Sequence, residues 1–268
     1  MIKLSVSLVT YHPDRPMLRD TLSSLRIAAV YALAAGDLSE IALTLVDNGD
    51  DEELVELAQR EGWEGIRLES GQGNVGFGRG HNLAMEHGMG DLHLILNPDV
   101  YLLPESLALA LRFMQAQPEC SLLSPAMRGS SRGSHYLCKR PPSVLDLFLR
   151  GFAPAWLRWI FRGRMAHYEM DAEGDQPVLW DPPIVSGCFM LCRAELLRQL
   201  KGFDPRYFLY FEDFDLSMRA RALGRLAAVG DVRIAHFGGG AARKGWKHIK
   251  MFCRSARVFF DLHGWKWI

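Results

Sequence analysis

The chain has 268 residues, and its 31 lysines and arginines balance its 31 aspartates and glutamates. This length allows one large domain or two small ones, with a core that needs no disulfide or structural metal. The balance of charge gives no electrostatic reason to expect nucleic-acid binding. Five cysteines, an odd number without regular spacing, indicate free thiols in a reducing compartment.

The amino-terminal sequence predicts a strand and not a targeting segment. Residues 2–9 largely alternate apolar and polar side chains directly after Met1, without a charged region or a cleavage site before them. We therefore expect no signal peptide and a cytoplasmic protein. Since no stretch approaches about 18 uninterrupted apolar residues, we also expect no membrane-spanning helix, which leaves contact with a membrane surface open.

Predicted strands and helices alternate through the first part of the chain. The strands are expected at 2–9, 41–46, 66–69 and 92–97, and the helices near 16–35, 51–61 and 79–88. This order predicts an α/β fold whose mostly parallel sheet is covered by helices on both faces. An irregular insertion follows near 129–182, and irregular segments of this length are usually functional or mobile. Later elements are a strand at 183–192 and helices at 194–200 and 212–223.

Polar motifs stand where the predicted strands end. Thr10-Tyr11 follow the first strand, Asp47-Asn48-Gly49 the second, the loop 71–80 the third, and Asn97-Pro98-Asp99 the fourth. The carboxyl ends of parallel strands share one rim, and open α/β sheets bind ligands there. Taken alone, Asp99 is more typical of a turn or a helix cap, but the four motifs together predict a ligand site.

Two further patterns have both structural and functional interpretations. The glycine-rich loop 71–80 precedes a helix, as phosphate-binding loops do. It lacks Gly-x-Gly-x-x-Gly and follows the third strand, which disfavours a dinucleotide-binding oxidoreductase. The acids of Glu212-Asp213-Phe214-Asp215 begin a predicted helix, where the helix dipole favours carboxylates, so capping alone is sufficient to account for them.

Together, the motifs resemble those of the family 2 glycosyltransferases, which are inverting enzymes with the GT-A fold. The resemblance covers almost the whole chain and rests on Val9-Thr10-Tyr11, Val46-Asp47-Asn48-Gly49, Asn74-Val75-Gly76-Phe77-Gly78 with Asn82, Asn97-Pro98-Asp99, and Phe211-Glu212-Asp213. The glycine loop paired with Asn-Pro-Asp resembles the rhamnosyltransferase-like branch that builds bacterial cell-surface polysaccharide. His12 and Asp50 depart from the family pattern, which has asparagine and serine there.

The resemblance implies a donor site along the strand ends. The residues that would hold the nucleotide sugar are Thr10, Tyr11, Asp47, Asn74, Gly76, Phe77, Gly80, Asn82, Asn97 and Asp99. Asp99 is the last residue of the family's Asp-x-Asp motif and would bind Mg²⁺ or Mn²⁺. His236 would complete this metal site, as a histidine does in some relatives, or is a structural histidine.

The resemblance also implies an acceptor site with a catalytic base. Asp213 would take the proton of the acceptor hydroxyl, Glu212 would orient the acceptor, and Asp215 would cap or support the helix. The remaining residues that match the family's acceptor side are Gly187, Cys188, Phe203 and Asp204. Packing in the core is an equally good account of these four.

The implied activity is metal-dependent inverting transfer of a hexose or deoxyhexose, rhamnose first, to a glycan or lipid-linked oligosaccharide. The donor would be a nucleotide diphosphate sugar, with thymidine diphosphate ahead of uridine diphosphate. Within one compact domain, 1–110 would bind the nucleotide sugar, 111–240 would bind the acceptor and carry catalysis, and 241–268 would form a helical tail. The alternative is a catalytically silent nucleotide-sugar-binding or scaffold protein at the membrane. The sequence allows either a monomer or an oligomer.

Two segments combine aromatic and basic residues, as is typical of contact with an anionic membrane surface. Residues 145–164 carry large apolar side chains with only arginines as charges after Asp146. The tail has one predicted helical stripe, formed by Trp246, Ile249, Cys253, Ala256 and Phe260. Both segments fit equally a helical hairpin that packs on the core or on a second subunit. Residues 238–244, with three glycines, Arg243 and Lys244, predict a lid.

Overall fold

The computed structural model describes residues 1–51, 53–127, 135–173, 176–237 and 245–268. The lid predicted at 238–244 lies outside the described residues, as does the start of the irregular insertion. Within the described ranges no helix is long and apolar enough to cross a bilayer.

The described residues form strands and helices in alternation. The strands are β1 (Ile2–Thr10), β2 (Leu38–Asp47), β3 (Arg67–Glu69), β4 (Leu92–Leu96), β5 (Val100–Leu102), β6 (Cys120–Met127), β7 (His135–Tyr136), β8 (Cys138–Lys139), β9 (Val178–Trp180), β10 (Ile184–Val185), β11 (Phe189–Arg193) and β12 (Arg225–His236). The helices are α1 (Arg15–Ala34), α2 (Leu54–Arg60), α3 (Phe77–Glu86), α4 (Ser106–Ala116), α5 (Val144–Gly151), α6 (Ala155–Ile160), α7 (Arg162–Tyr168), α8 (Ala194–Leu200), α9 (Glu212–Arg221) and α10 (Trp246–His263). A short 3₁₀ helix covers Asp171–Glu173.

One ten-stranded sheet runs through the molecule in the order β3-β2-β1-β4-β11-β6-β12-β5, with β7 on β6 and β9 on β12. Its longest ladders, β1 with β2 and β6 with β12, are parallel, as the sequence predicts for a mostly parallel sheet. β11 runs antiparallel between β4 and β6. β8 and β10 form a separate antiparallel pair beside the main sheet.

The core lies on both faces of the sheet because the central strands are buried on both sides. All residues of β4 are buried, as a continuous apolar run predicts for such a strand. Leu94 packs with α1 residues such as Leu22 on one face, and Ile95 packs with Leu197 of α8 and Leu216 of α9 on the other. Helices therefore cover both faces.

The predicted strand at 183–192 is divided in two. β10 ends at Val185, and β11 begins at Phe189, so residues 186–188 leave the sheet direction between them. The Ser186 N–H donates to Leu137 O, which extends the β8–β10 pairing by one residue and does not join β11. This break faces the start of α9 and shapes the site described below.

Helix α10 packs on the core, but not through the whole predicted stripe. Ala256, Phe259 and Phe260 are buried with Phe211 in one cluster. Trp246 is 85% exposed and Cys253 is also exposed, so these two residues of the stripe do not pack on the core. The buried face follows a slightly different helical row, because α10 covers the aromatic side chains that lead into α9.

Candidate active site

The loops after β1 and β2 are held together by the buried carboxylate of Asp47. Thr10 Oγ1 donates to Asp47 Oδ1 at 3.3 Å, and the Gly49 N–H donates to the same oxygen at 2.9 Å. The other carboxylate oxygen accepts the Asp51 N–H. Tyr11 is 55% exposed. Asp47 and Thr10 therefore fix the loop, and Tyr11 presents its ring at the rim.

His12 and Asp50, the two departures from the family pattern, lie in these loops with positive φ angles of 46° and 57°. Both side chains are exposed. Asp50 belongs to no group of three potential metal ligands among the residues that the structure describes. The extra carboxylate is thus turned to solvent.

The glycine loop closes against the segment that leads into α9. Asn74 Oδ1 accepts the Gly76 N–H at 3.0 Å, and the Phe77 N–H donates to Phe208 O at 3.1 Å. Asn48 Nδ2 donates to Gly76 O at 3.2 Å. Gly76 has a φ of +90°, and a Cβ there would lie 2.1 Å from Phe208 O. Only glycine fits this position, which positions Phe77 near the cleft.

Gly80 and Asn82 of α3, both predicted to bind the nucleotide sugar, pack against neighbouring parts of the fold. Gly80 lies so close to β1 that a Cβ would be 2.8 Å from Val9 Cγ1. Asn82 Nδ2 donates to Phe203 O at 2.8 Å, and Asn82 Oδ1 accepts the Phe203 N–H at 2.8 Å. The amide of Asn82 therefore anchors the 202–203 turn. Phe203 is 1% exposed, so its ring is part of the core and not an open acceptor surface.

Asp99 lies between β4 and β5, opposite the end of β12. Because Val100 of β5 pairs with His236, the Asp99 Oδ1 comes within 3.2 Å of His236 Nε2. Burial acts to raise the pKa of the Asp99 carboxyl, but the His236 ring and the Asn97 side chain outweigh burial and bring this pKa below its usual value. The structure thus brings all three side chains together.

These three residues offer unused polar atoms. Asn97 Oδ1, Asp99 Oδ1 and His236 Nε2 are buried without an aligned hydrogen bond, so the 3.2 Å contact is close but has poor hydrogen-bond geometry. Buried polar atoms normally have partners, and oxygen and imidazole ligands suit Mn²⁺, whereas Mg²⁺ prefers oxygen. The residues therefore fit a divalent cation that takes its other ligands from phosphate and water. Within the described ranges no group of three histidine, cysteine, aspartate or glutamate side chains is placed to hold a metal, so Asp99 and His236 are the two such ligands here.

Asp213 lies in the first turn of α9 and faces the break between β10 and β11. The Gly187 N–H donates to Asp213 Oδ2 and the Phe214 N–H to Oδ1, each at 3.0 Å. A Cβ on Gly187 would lie 3.1 Å from Asp213 Cβ, which favours glycine there. Burial raises the pKa of the Asp213 carboxyl in spite of these donors. The carboxylate is therefore a stronger base than an ordinary aspartate.

Residues 187 and 188 connect Asp213 to the Asn97-Asp99 motif. The Cys188 carbonyl accepts the Asn97 N–H at 2.9 Å, one residue after Gly187 binds Asp213. Burial raises the pKa of the Cys188 thiol to about 12, and both Asp99 and Asp213 raise it further. The Cys188 side chain is core, whereas the backbone of residues 187 and 188 contacts both Asp213 and the residue that begins the Asn97-Pro98-Asp99 motif.

The other acids near α9 differ in their surroundings. Glu212 is buried with Oε2 unpartnered, and burial, followed by the charge of Asp213, raises the pKa of its carboxyl. Asp204 pairs with Arg206 in its own turn, which gives it a local structural contact. Asp215 accepts from Arg219 Nε at 2.7 Å and lies 2.9 Å from His263 Nε2, which ties α9 to α10.

Lys139 belongs to the site although sequence reasoning missed it. It lies in β8, opposite Ile184 of β10, with Nζ 5.6 Å from the centre of the Phe214 ring. Burial and then Arg150 lower the pKa of Lys139 to about 8, while Asp213 acts in the opposite direction. Only a long-range strand pairing brings Lys139 here, so no local pattern reveals it.

The layered sheet with its site at the strand ends is the GT-A fold. A mannosyltransferase from Pyrobaculum calidifontis, solved in complex with GDP-Man and Mn²⁺, superposes with a TM-score of 0.61 at 16% identity. The match covers 96% of this chain and 62% of that chain, so this chain spans less than two thirds of the archaeal protein. This likeness defines the fold.

The family model of glycosyl transferase family 2 matches residues 5–201, and the chain belongs to this family. Over 98% of its length the chain is 27% identical to N-acetylglucosaminyl-diphospho-decaprenol L-rhamnosyltransferase of Mycobacterium tuberculosis (strain H37Rv), of which the match covers 86%. It is also 27% identical to rhamnosyltransferase WbbL of Escherichia coli (strain K12), over 66% of this chain and 65% of that protein. The predicted class, a rhamnosyltransferase-like glycosyltransferase, is confirmed.

Proposed function

We propose that the protein is an inverting glycosyltransferase that moves rhamnose from thymidine diphosphate rhamnose to a glycan or lipid-linked acceptor, with uridine diphosphate sugars as the second choice of donor. The observation that supports the proposal most is the backbone link through residues 187 and 188, since Gly187 donates to Asp213 and Cys188 accepts from Asn97. The names of two relatives, both rhamnosyltransferases, support the choice of sugar.

In the proposed mechanism, Asp213 is the general base. The acceptor hydroxyl donates a hydrogen bond to a free lone pair of the Asp213 carboxylate, whose orientation the Gly187 and Phe214 N–H groups fix. The hydroxyl oxygen attacks the anomeric carbon as its proton passes to Asp213, and the bond from that carbon to the diphosphate oxygen breaks. Attack opposite the leaving group inverts the anomeric configuration.

On the other side of the sugar, Asp99 and His236 would hold a divalent cation next to the leaving diphosphate. When bound, Mg²⁺ or Mn²⁺ neutralises the negative charge that develops on the diphosphate. Asn97 Oδ1, which is buried without a partner, lies beside this pair and is available to a water or a substrate hydroxyl. Tyr11 would cover the nucleoside base, because its ring is exposed at the same rim.

A direct test compares donors and then follows transfer. Thymidine diphosphate rhamnose with Mn²⁺ should raise the melting temperature more than uridine diphosphate sugars do, since a ligand that binds only the folded state stabilises it. Transfer to an N-acetylglucosaminyl-diphospho-prenol should follow with the same donor. Failure of every nucleotide sugar to stabilise the protein would refute the proposal.

We further propose that the α6 surface, formed by Phe152, Trp156, Trp159 and Ile160, docks on an anionic membrane. These side chains are between 50% and 66% exposed, and no residue of α6 is buried. The Arg162 guanidinium lies over the Trp159 ring at 4.7 Å, which adds a cation for anionic headgroups.

Residues 266–268 contact the start of α5 and carry further exposed apolar side chains that would add to the membrane contact. The Val144 N–H donates to Lys266 O at 2.8 Å and the Leu145 N–H to Trp267 O at 3.1 Å, so the start of α5 holds the terminal segment. Trp267 and Ile268 are 65% and 78% exposed. All five cysteines are free, which supports a reducing compartment and hence the inner face of the membrane.

Vesicle flotation tests the membrane proposal. The double variant Trp156→Ser/Trp159→Ser should bind phosphatidylglycerol vesicles at least tenfold more weakly than the wild-type protein does. Vesicles of neutral phosphatidylcholine should bind the wild-type protein and the variant equally weakly. Val30→Ser/Tyr31→Ser is the matched control, because these α1 side chains are 48% and 46% exposed on another element. Equal flotation of all three proteins would contradict the assignment. Deleting 241–268 is less informative, because α10 is part of the core.

A further inference from the structure

The turn that leads into α9 has a strained backbone directly before the proposed base. Tyr210 and Phe211, neither of them glycine, have positive φ angles of 73° and 68°. Left-handed conformations are unfavourable for residues with a side chain, and two in succession persist only where surrounding contacts hold them. Since Glu212 begins α9 and Asp213 follows it, these two φ angles set the direction of the first turn of α9 and of the Asp213 carboxylate.

Aromatic packing against α10 holds Phe211 in this conformation. Phe211 is 3% exposed, and its ring centre lies 5.0 Å from that of Phe252 and 5.4 Å from that of Phe259. Both partners belong to α10. Turning the backbone of Phe211 out of the left-handed region would withdraw its ring from this cluster and expose apolar surface. Helix α10 therefore stabilises one of the two strained residues.

Hydrogen bonds from α10 hold the two residues before Phe211. The Tyr210 hydroxyl oxygen lies 2.8 Å from His248 Nδ1 in a hydrogen bond. Ser255, which is buried, donates its hydroxyl to Leu209 O at 2.8 Å. Strained backbone conformations cluster at functional sites, where contacts of this kind over-determine them. Side chains of α10 thus fix the turn at the hydroxyl of Tyr210 and at the carbonyl of the residue before it.

We propose that Tyr210 and His248 are positioning residues for Asp213. Their hydrogen bond holds the strained turn, so that the Asp213 carboxylate meets the Gly187 N–H and keeps a lone pair free for the acceptor hydroxyl. Without this bond the Tyr210 backbone relaxes toward a negative φ and turns the start of α9, and a displacement of about 1 Å can slow a reaction about a hundredfold. The inference rests on the proposed function, in which Asp213 is the base. Helix α10 and the turn lie beyond residues 5–201, which the family model matches, so that match assigns them no role.

Hydrogen exchange of the Gly187 amide tests the inference without any transfer reaction, because this N–H donates to Asp213 Oδ2 at 3.0 Å. NMR of protein with isotope-labelled glycine should show that Tyr210→Phe and His248→Ala each speed this exchange at least tenfold. The buried Gly230 amide of β12 is the internal reference and should change less than twofold. His248→Asn should restore most of the protection that His248→Ala loses, because an asparagine amide can bond the tyrosine hydroxyl from the place of the ring Nδ1.

His263→Ala is the matched control on the same helix. The His263 Nε2 lies 2.9 Å from Asp215 Oδ1, so this contact joins α10 to α9 without involving the strained turn. We expect this variant to lose stability in urea unfolding but to keep the relative exchange rate of Gly187 and the kcat per folded molecule. A purely structural role of the Tyr210 hydroxyl would give that same pattern in Tyr210→Phe.

Kinetics of transfer separate this inference from the proposed function. Tyr210→Phe and His248→Ala should each lower kcat about tenfold, with the KM for the acceptor and the Kd for the donor within threefold of wild type. The double variant should be no slower than the slower single variant, because both changes remove one hydrogen bond. Gly187 exchange within twofold of wild type, losses of kcat that multiply in the double variant, or a raised KM at constant kcat would overturn the inference. If the wild-type protein transfers no sugar but both variants change Gly187 exchange as expected, the proposed function is refuted and the positioning of Asp213 stands.

Discussion

Replacing Asp213 by asparagine removes the proposed base while preserving side-chain volume. In the wild-type protein the Gly187 and Phe214 N–H groups each lie 3.0 Å from an Asp213 carboxylate oxygen. In the variant the amide oxygen can still accept one of these N–H groups, but the amide nitrogen then faces the other. An unsatisfied buried donor costs about 1–3 kcal/mol, and loss of a buried negative charge beside Glu212 offsets part of this cost. General base catalysis contributes about 10²–10⁴ in rate, equal to about 3–5 kcal/mol of barrier.

We therefore expect Asp213→Asn to stay folded, to bind donor normally and to lose a factor of about 10²–10⁴ in single-turnover transfer. Asp215→Asn is the matched control on the same helix. Asp215 is 2% exposed and pairs with Arg219 and His263, so this variant should lose about 3–5 kcal/mol of stability but retain transfer per folded molecule. Transfer by Asp213→Asn within threefold of wild type, measured on protein shown to be folded, would refute the base assignment.

Three further predictions concern the metal, the glycine loop and pH. Asp99→Asn should abolish the Mn²⁺-dependent part of nucleoside diphosphate binding in calorimetry and leave binding in EDTA unchanged; retained metal dependence would remove Asp99 from the metal site. Gly76→Ala should cost at least about 2 kcal/mol more in urea unfolding than Gly73→Ala, because both have positive φ but only Gly76 meets a backbone carbonyl; equal costs would contradict the close approach. Burial lowers the pKa of His93 to about 3, so its contribution to stability is complete above the unfolded pKa of about 6.5 and is lost as the pH falls toward 3. Its ring should show no NMR titration near pH 6.5.

Local patterns account for the donor half of the molecule. β1, β2 and β4 lie where alternating or continuous apolar residues predict them, and their polar ends meet at one rim because parallel strands must end together. The glycines of residues 71–80 also predict the loop that the structure has there. The local sequence does not predict that Asn82 binds the backbone of Phe203, because these two residues are far apart in the chain.

The acceptor half depended on pairings that no local pattern encodes. β11 inserts antiparallel between β4 and β6, and the break before it places Gly187 against Asp213. Lys139 lies in a segment expected to be irregular and reaches the site only because β8 pairs with β10. The helical period alone also left open which side of α10 packs on the core, and in the structure Phe259 is buried while Trp246 is exposed.

The central claim is that Asp213 deprotonates the acceptor for direct attack opposite the diphosphate leaving group. The most direct measurement is the anomeric configuration of the product by NMR, made with a donor sugar of known configuration and the wild-type protein. The account predicts that the configuration at the anomeric carbon is inverted relative to the donor. A product that retains the donor's configuration would contradict it, because retention requires a covalent intermediate or attack from the same face.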